Sequence, residues 1–396
     1  MATEKRIASF FRDSLRIPEL IARFPDIRKH PRIPLQNILS SLLLMPFWGA
    51  TSLLSLDRLS RKRQVKGLFG CQRKLVVSDT TIARVLGWVD EATPQQALLS
   101  LAPRLKLIEC LQRRLVADGP LRRLGIIDGS FMGGHYHVTA TLLGNVDYPA
   151  AVYPCSGRGH ELTTAYRMLR ELPAQLGDCA PQLWLFDALY VTANTFKAVK
   201  DSNARLLIKC GDNPAFRDLL RDARALFDHQ SKTVDTVEGE HGFDQHRMCS
   251  WVMKKTSREF AGHPVNIFLL SEQYPKRKKD PQVESWILTT DPSLTMTEVR
   301  EAAHLRWHIE NNVFKRLSHL CGTKRFYFKD PKRFFTLLRL FYLAVTALDA
   351  FFVIMRREAE AFNQLRAGIK PTWKNLCSQV QEHLPPHFGR LVAFGS

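Results

Sequence analysis

The chain has 396 residues, enough for two or three domains with a substantial core. Its formal charge of +19 and pI near 9.8 supply counterion-release affinity for a polyanion, and nucleic acid is the partner this excess implies. The eight cysteines form no CxxC pair, which excludes a disulfide framework and a zinc ribbon. A membrane span is excluded as well, because the stretch Ile33 to Leu56 is broken by Pro34, Gln36, Asn37, Pro46 and Gly49, and the stretch Leu337 to Met355 contains Arg339 and Asp349. With no apolar signal core after Met1, a cytoplasmic location is expected.

In chain order, residues 1–118 read as an all-helical, DNA-binding domain without strand alternation. It holds the densest basic run, Arg58-Leu-Ser-Arg61-Lys62-Arg63-Gln-Val-Lys66, continued by Arg73 and Lys74, which is suited to clamp phosphates. Ser78 then caps a helix that carries Arg84, and this segment reads either as part of a helix-turn-helix or as a plain capped helix. Residues 119–229 change period. Strands are expected at Leu124 to Asp128, His135 to Leu143 and Ala150 to Cys155, then a helix from Glu161 to Leu176, a strand ending at Asp187, a helix from Thr192 to Lys200 and a strand from Ala204 to Cys210. That order predicts an α/β fold, a ribonuclease H-like mixed sheet flanked by helices, in which the first and fourth strands are neighbours.

Residues 230–294 read as a β-rich insertion, with Lys276, Arg277, Lys278 and Lys279 on an exposed tip that is either a DNA contact or a solvated loop. Residues 295–356 complete the α/β domain begun at 119–229 with a helical run through Arg306 and Glu310 and an apolar helix beneath it, and 357–396 form a basic tail without an assigned role.

Asp128 and Asp187 each end an apolar run typical of a buried strand, where an acid needs a reason, and Glu310 arrives from a helix. Three such carboxylates suit magnesium, a hard cation that takes oxygen ligands, and two ions sharing them would serve the attacking and leaving oxygens of a phosphodiester. Each acid also has a plainer reading, as a turn residue, a helix cap or the partner of Arg306 one turn away.

The blocks IIDGS, LWLFDALYVTANTF, LLIKCGDNPAF and LRWHIENNVFKRL, in this order, resemble the DDE transposases of bacterial insertion sequences, in the group with a β-rich insertion before the catalytic Glu. The resemblance implies Asp128, Asp187 and Glu310 as ligands of Mg²⁺ or Mn²⁺, with Arg306 touching phosphate or orienting Glu310. It further implies cleavage at terminal inverted repeats, joining of the 3′ hydroxyls to target DNA, and a homodimer in the DNA complex. The group's Tyr and Lys around the last acid are replaced here by Ala303 and Leu317, with Lys315 the nearby cation assigned to DNA. Trp286 and Trp251 are candidates either for the core or, as implied by relatives, for stacking on a base, and Trp286 is assigned to DNA. Two rivals to a transposase stay open: a structure-selective nuclease, and a non-catalytic regulator derived from one.

Overall fold

The computed structural model describes residues 9–48, 50–62, 77–210, 234–238, 245–255, 264–273, 282–325 and 327–367, with 221 and 225 in isolation. Arg63, Lys66, Arg73, Lys74, the Lys276 to Lys279 run, the side chain of Trp251 and the tail beyond 367 lie outside what is described.

A two-residue ladder, β1 (Arg113–Arg114) with β2 (Leu121–Arg122), precedes one nine-stranded mixed sheet among the described residues. The sheet's strands are β3 (Leu124–Met132), β4 (His135–Leu143), β5 (Tyr148–Pro154), β6 (Leu183–Asp187), β7 (Arg205–Cys210), β8 (Val234–Glu238), β9 (Gln245–Lys255), β10 (Val265–Gln273) and β11 (Gln282–Thr289). Their order across the sheet is β5-β4-β3-β6-β7-β11-β10-β9-β8. The first three strands are antiparallel, β3, β6 and β7 run parallel, and the rest alternate. This is the expected ribonuclease H-like arrangement.

Local chemistry explains the central strands. Buried Ile126 and Ile127 in β3, and Leu183 to Phe186 in β6, are continuous apolar runs of the kind covered on both faces. Gly125 lets the ring of Trp184 lie against the backbone, since a Cβ there would stand 2.6 Å from it. The β3–β4 hairpin turns on Gly133 and Gly134, whose φ values of 54° and 88° suit a two-residue primed turn open to glycine.

The insertion does not form a sheet of its own. Strand β11 pairs with β7, from Trp286 opposite Cys210 to Thr289 opposite Leu207, so β8 to β11 extend the central sheet. The chain therefore returns to the foot of β7, where Thr290 N donates to Leu206 O at 3.0 Å. From there helix α1 (Met296–Leu305) packs on β6 and β7. Ten residues rise about 15 Å, and the five residues of β6 span about 16 Å, so α1 carries the chain to the end of the strand where Asp187 lies.

The start of α1 is tied down twice. Thr295 and Glu298 form a reciprocal capping box, and Arg122 donates to Asp291 at 3.2 Å and to Glu298 at 3.3 Å. Beyond α1 a π-helical segment, Ile309–Phe314, leads into α2 (Lys315–Cys321), and α3 (Pro331–Ala367) follows. Arg316 pairs with Asp349 and fastens α2 to α3. One described helix, over Pro331–Arg357, is long and apolar enough to cross a membrane, but 78% of its most apolar window is buried inside the protein. It packs against β5 and the helices Leu35–Leu43 and Ala92–Leu107, so the N-terminal helices share a core with the sheet. The cysteines described, Cys110, Cys155, Cys179, Cys210 and Cys321, are free thiols.

Candidate active site

The β3–β6 ladder pairs Ile126 with Leu185, two residues before each acid, so Asp128, in the middle of β3, and Asp187, at the end of β6, stand level on neighbouring strands. Asp128 is 8% exposed and its Oδ1 accepts from Gly129 N at 2.9 Å. Asp187 ends β6 and caps the following turn by accepting from Leu189 N at 2.9 Å. Glu310 projects from the π-helical segment and is half exposed. That segment is held by Asp147, whose Oδ2 lies 3.3 Å from His308 Nδ1 and accepts from Asn312 at 3.1 Å. His308 thus serves an anchor away from the acids.

Arg306 completes the cluster. Its Nη1 is 3.9 Å from Asp128 Oδ2 and 3.9 Å from Asp187 Oδ2, and its Nη2 donates to Glu310 Oε1 at 3.3 Å. One guanidinium therefore sits where all three carboxylates converge. Burial, then repulsion from Asp187, pushes the Asp128 carboxyl up to about 7 against the opposing pull of Arg306. Burial raises Asp187 as well, against the hydrogen bond from Leu189 N.

A fourth acid stands beside them. Glu161 Oε1 accepts from Gly129 N at 3.2 Å and from the Tyr190 hydroxyl at 2.9 Å, and burial raises its carboxyl too. Sequence reading passes over it, because Glu in a first helical turn is ordinary compensation of the helix dipole. Trp307 is missed in the same way. It is 47% exposed, adjoins Arg306, and carries the Lys209 ammonium 5.3 Å from its ring centre.

The acids offer oxygen donors only, already gathered about a positive charge, and that donor set fits a hard divalent cation. Among the described residues no three His, Cys, Asp or Glu side chains are drawn close enough to enclose an ion as they stand. A family model described as a transposase DDE domain matches residues 120–347, more than half of the chain. The chain belongs to the DDE transposase family. Its members act on DNA, and the matched span takes in the three acids, Arg306 and Glu161. A comparison with curated proteins gives no match.

The remaining expected residues fall in several places. Arg58, Arg61 and Arg84 are exposed on the N-terminal helices Leu53–Lys62 and Asp79–Leu86, which pack together. Arg61 pairs with Asp57 at 2.6 Å, and Lys62 closes the first of these helices. Ser78 caps the second as expected, accepting from Thr81 N at 3.2 Å. Lys315 is exposed and donates to Asn311 at 2.5 Å, while Ala303 and Leu317, at the departed signature positions, are buried. Trp286 corrects an expectation. At 9% exposed it packs within β11, between Cys210 and Leu269 on the flanking strands, rather than facing DNA, and the exposed tryptophan near the acids is Trp307.

Proposed function

We propose that this DDE family member is the transposase of an insertion sequence, acting in the cytoplasm of a bacterium as a homodimer on DNA. It cuts the ends of its own element and joins the freed 3′ hydroxyls to target DNA. The observation that carries this reading is the convergence of Asp128, Asp187 and Glu310 on the single Arg306 guanidinium.

Asp128, Asp187 and Glu310 would hold Mg²⁺, or Mn²⁺ in its place, which when bound supplies positive charge to the attacking and departing oxygens of a phosphodiester. Arg306 offsets part of the carboxylates' repulsion in the metal-free protein, and its fork of donors suits a phosphate of the scissile strand. Trp307 offers an exposed ring beside Arg306 on which an unpaired base near the cut stacks. A groove of about 920 Å³, lined by Tyr136, His160, Arg167 and Arg170 among others, offers basic side chains to the duplex. Arg58, Arg61, Lys62, Arg63, Lys66, Arg73, Lys74 and Arg84 bind the terminal inverted repeats, while Lys315 and the basic run Lys276 to Lys279 add phosphate contacts.

The reading is tested with a labelled duplex carrying the inverted repeats that flank the reading frame, in Mg²⁺ or EDTA. Metal-dependent nicking and joined product, both lost in Glu310→Ala and Asp187→Ala, are expected. Nicking without joining would leave a nuclease, and DNA binding without cleavage in either metal would leave a regulator.

A further inference from the structure

Asp128 lies in the middle of β3 and Asp187 ends β6, and the pairing between these two strands stops short of both. The β3–β6 ladder ends at Ile126 and Leu185; beyond it Asp128 pairs with Thr139 of β4 and Asp187 with Lys209 of β7, and among the described residues no direct β3–β6 pair sets the separation of the two acids. Glu161, the first residue of the helix Glu161–Leu176, spans this gap. Its Oε1 takes a hydrogen bond from Gly129 N, immediately after Asp128, and another from the Tyr190 hydroxyl, three residues after Asp187.

Both partners are themselves joined to the acids. Gly129 N also donates to Asp128 Oδ1 at 2.9 Å. Tyr190 is fully buried against Phe186, with ring centres 5.0 Å apart, and closes the turn in which Leu189 N donates to Asp187. The absence of a side chain at Gly129 is part of the fit. A Cβ there would stand 2.3 to 2.8 Å from the Glu161 carboxylate and push it away.

We propose that Glu161 is a positioning residue that clasps the middle of β3 to the turn after β6 and so sets the separation of Asp128 and Asp187. The clasp rests on the proposed function only in taking those two acids as the metal ligands. It works through an oxygen acceptor rather than through charge, since both hydrogen bonds end on one oxygen, which the amide of a glutamine reproduces.

The test uses the full chain and two readouts: hydrogen exchange in EDTA over the segments 124–132 and 185–192, and Mn²⁺ titration without DNA, followed by the electron spin resonance of free Mn²⁺. Glu161→Ala is expected to speed exchange in both segments and to weaken Mn²⁺ binding about tenfold or more, the usual scale for losing a group that orients a ligand. Glu161→Gln should stay within about twofold of wild type in both readouts, because the acceptor is kept. Gly129→Ala, which leaves the charge in place but displaces it, should reproduce the losses of Glu161→Ala and serves if that variant folds poorly.

If Glu161→Gln loses Mn²⁺ binding as fully as Glu161→Ala, Glu161 is itself a ligand and the clasp is overturned. Unchanged exchange and binding in Glu161→Ala overturn it equally. A wild type that binds Mn²⁺ but neither nicks nor joins DNA defeats the functional reading and leaves the clasp standing. One that binds no Mn²⁺ also defeats that reading, and hydrogen exchange alone then decides the clasp.

Discussion

Replacing Asp128 with Asn should stabilise the metal-free protein at pH 8 and do much less at pH 5. Burial and the neighbouring Asp187 lift the Asp128 carboxyl from its ordinary 3.8 to about 7 in the fold. A group whose folded value is raised contributes its full stability below the unfolded value and loses it as pH rises through the folded one. Between pH 5 and pH 7 the unfolded chain ionises freely while the native acid holds its proton. The native state therefore loses about 1.4 kcal/mol per pH unit, or about 2–3 kcal/mol over that window.

Coupling to Asp187 and relaxation of Arg306 reduce this, so a gap of about 1–2 kcal/mol between the variants is the expected widening. The amide of Asp128→Asn keeps an acceptor for Gly129 N, and Arg306 keeps Asp187 and Glu310. Thermal melts in EDTA at pH 5 and pH 8 read the effect directly. In Mg²⁺ at pH 8 the order should reverse if Asp128 is a ligand as proposed, because the wild type then gains more binding free energy from the ion than the Asn variant. An equal difference at both pH values, or an Asn variant less stable at pH 8 in EDTA, would refute the buried, mutually repelling pair.

Three further expectations follow from the packing. His137 is 1% exposed, neither ring nitrogen makes a well-formed hydrogen bond among the described residues, and burial lowers it to about 4. Its stability contribution is complete above pH 6.5 and falls as pH drops toward 4, by about 3 kcal/mol in all. His137→Leu should therefore flatten the acid limb of a denaturation series, and an unchanged limb would show that another group controls it. Arg122→Ala leaves the buried Asp291 and Glu298 without their cation, and chemical denaturation should show a loss of about 3–5 kcal/mol. Trp307→Ala should leave the melting temperature unchanged yet slow nicking about tenfold, with Trp307→Phe restoring it, as expected for a stacking contribution of about 1–3 kcal/mol.

What the sequence revealed, and what it hid, divides by the range of the forces involved. Asp128 and Asp187 could be found because an acid at the end of Leu-Gly-Ile-Ile or Leu-Trp-Leu-Phe contradicts the burial its neighbours demand. The capped helix after Ser78 and the strand order were legible because caps and alternation are local signals. Glu161 was not, since its meaning comes from Gly129 and Tyr190, each about thirty residues away in the chain. The pairing of β11 with β7 was equally hidden, because the central strand is completed by a segment some eighty residues later. Trp286 was open between the core and, as the resemblance implies, a base-stacking contact, because its strand's neighbours are not legible in sequence. Once that strand lies between β7 and β10, burial is the ordinary fate of its side chain.

The return of β11 to the side of β7 also bears on how such a protein can change over generations. The chain leaves the sheet at the end of β7, runs out to β8 and comes home beside the strand it left. Hairpins can be gained or trimmed at the outer edge without altering where α1 begins or how far Arg306 and Glu310 reach. A single-residue deletion in β3 or β6 has no such freedom, because it would turn an acid to the opposite face of the sheet. The molecule thus pairs an outer sheet edge that can change length with a central frame in which the register of β3 and β6 is committed.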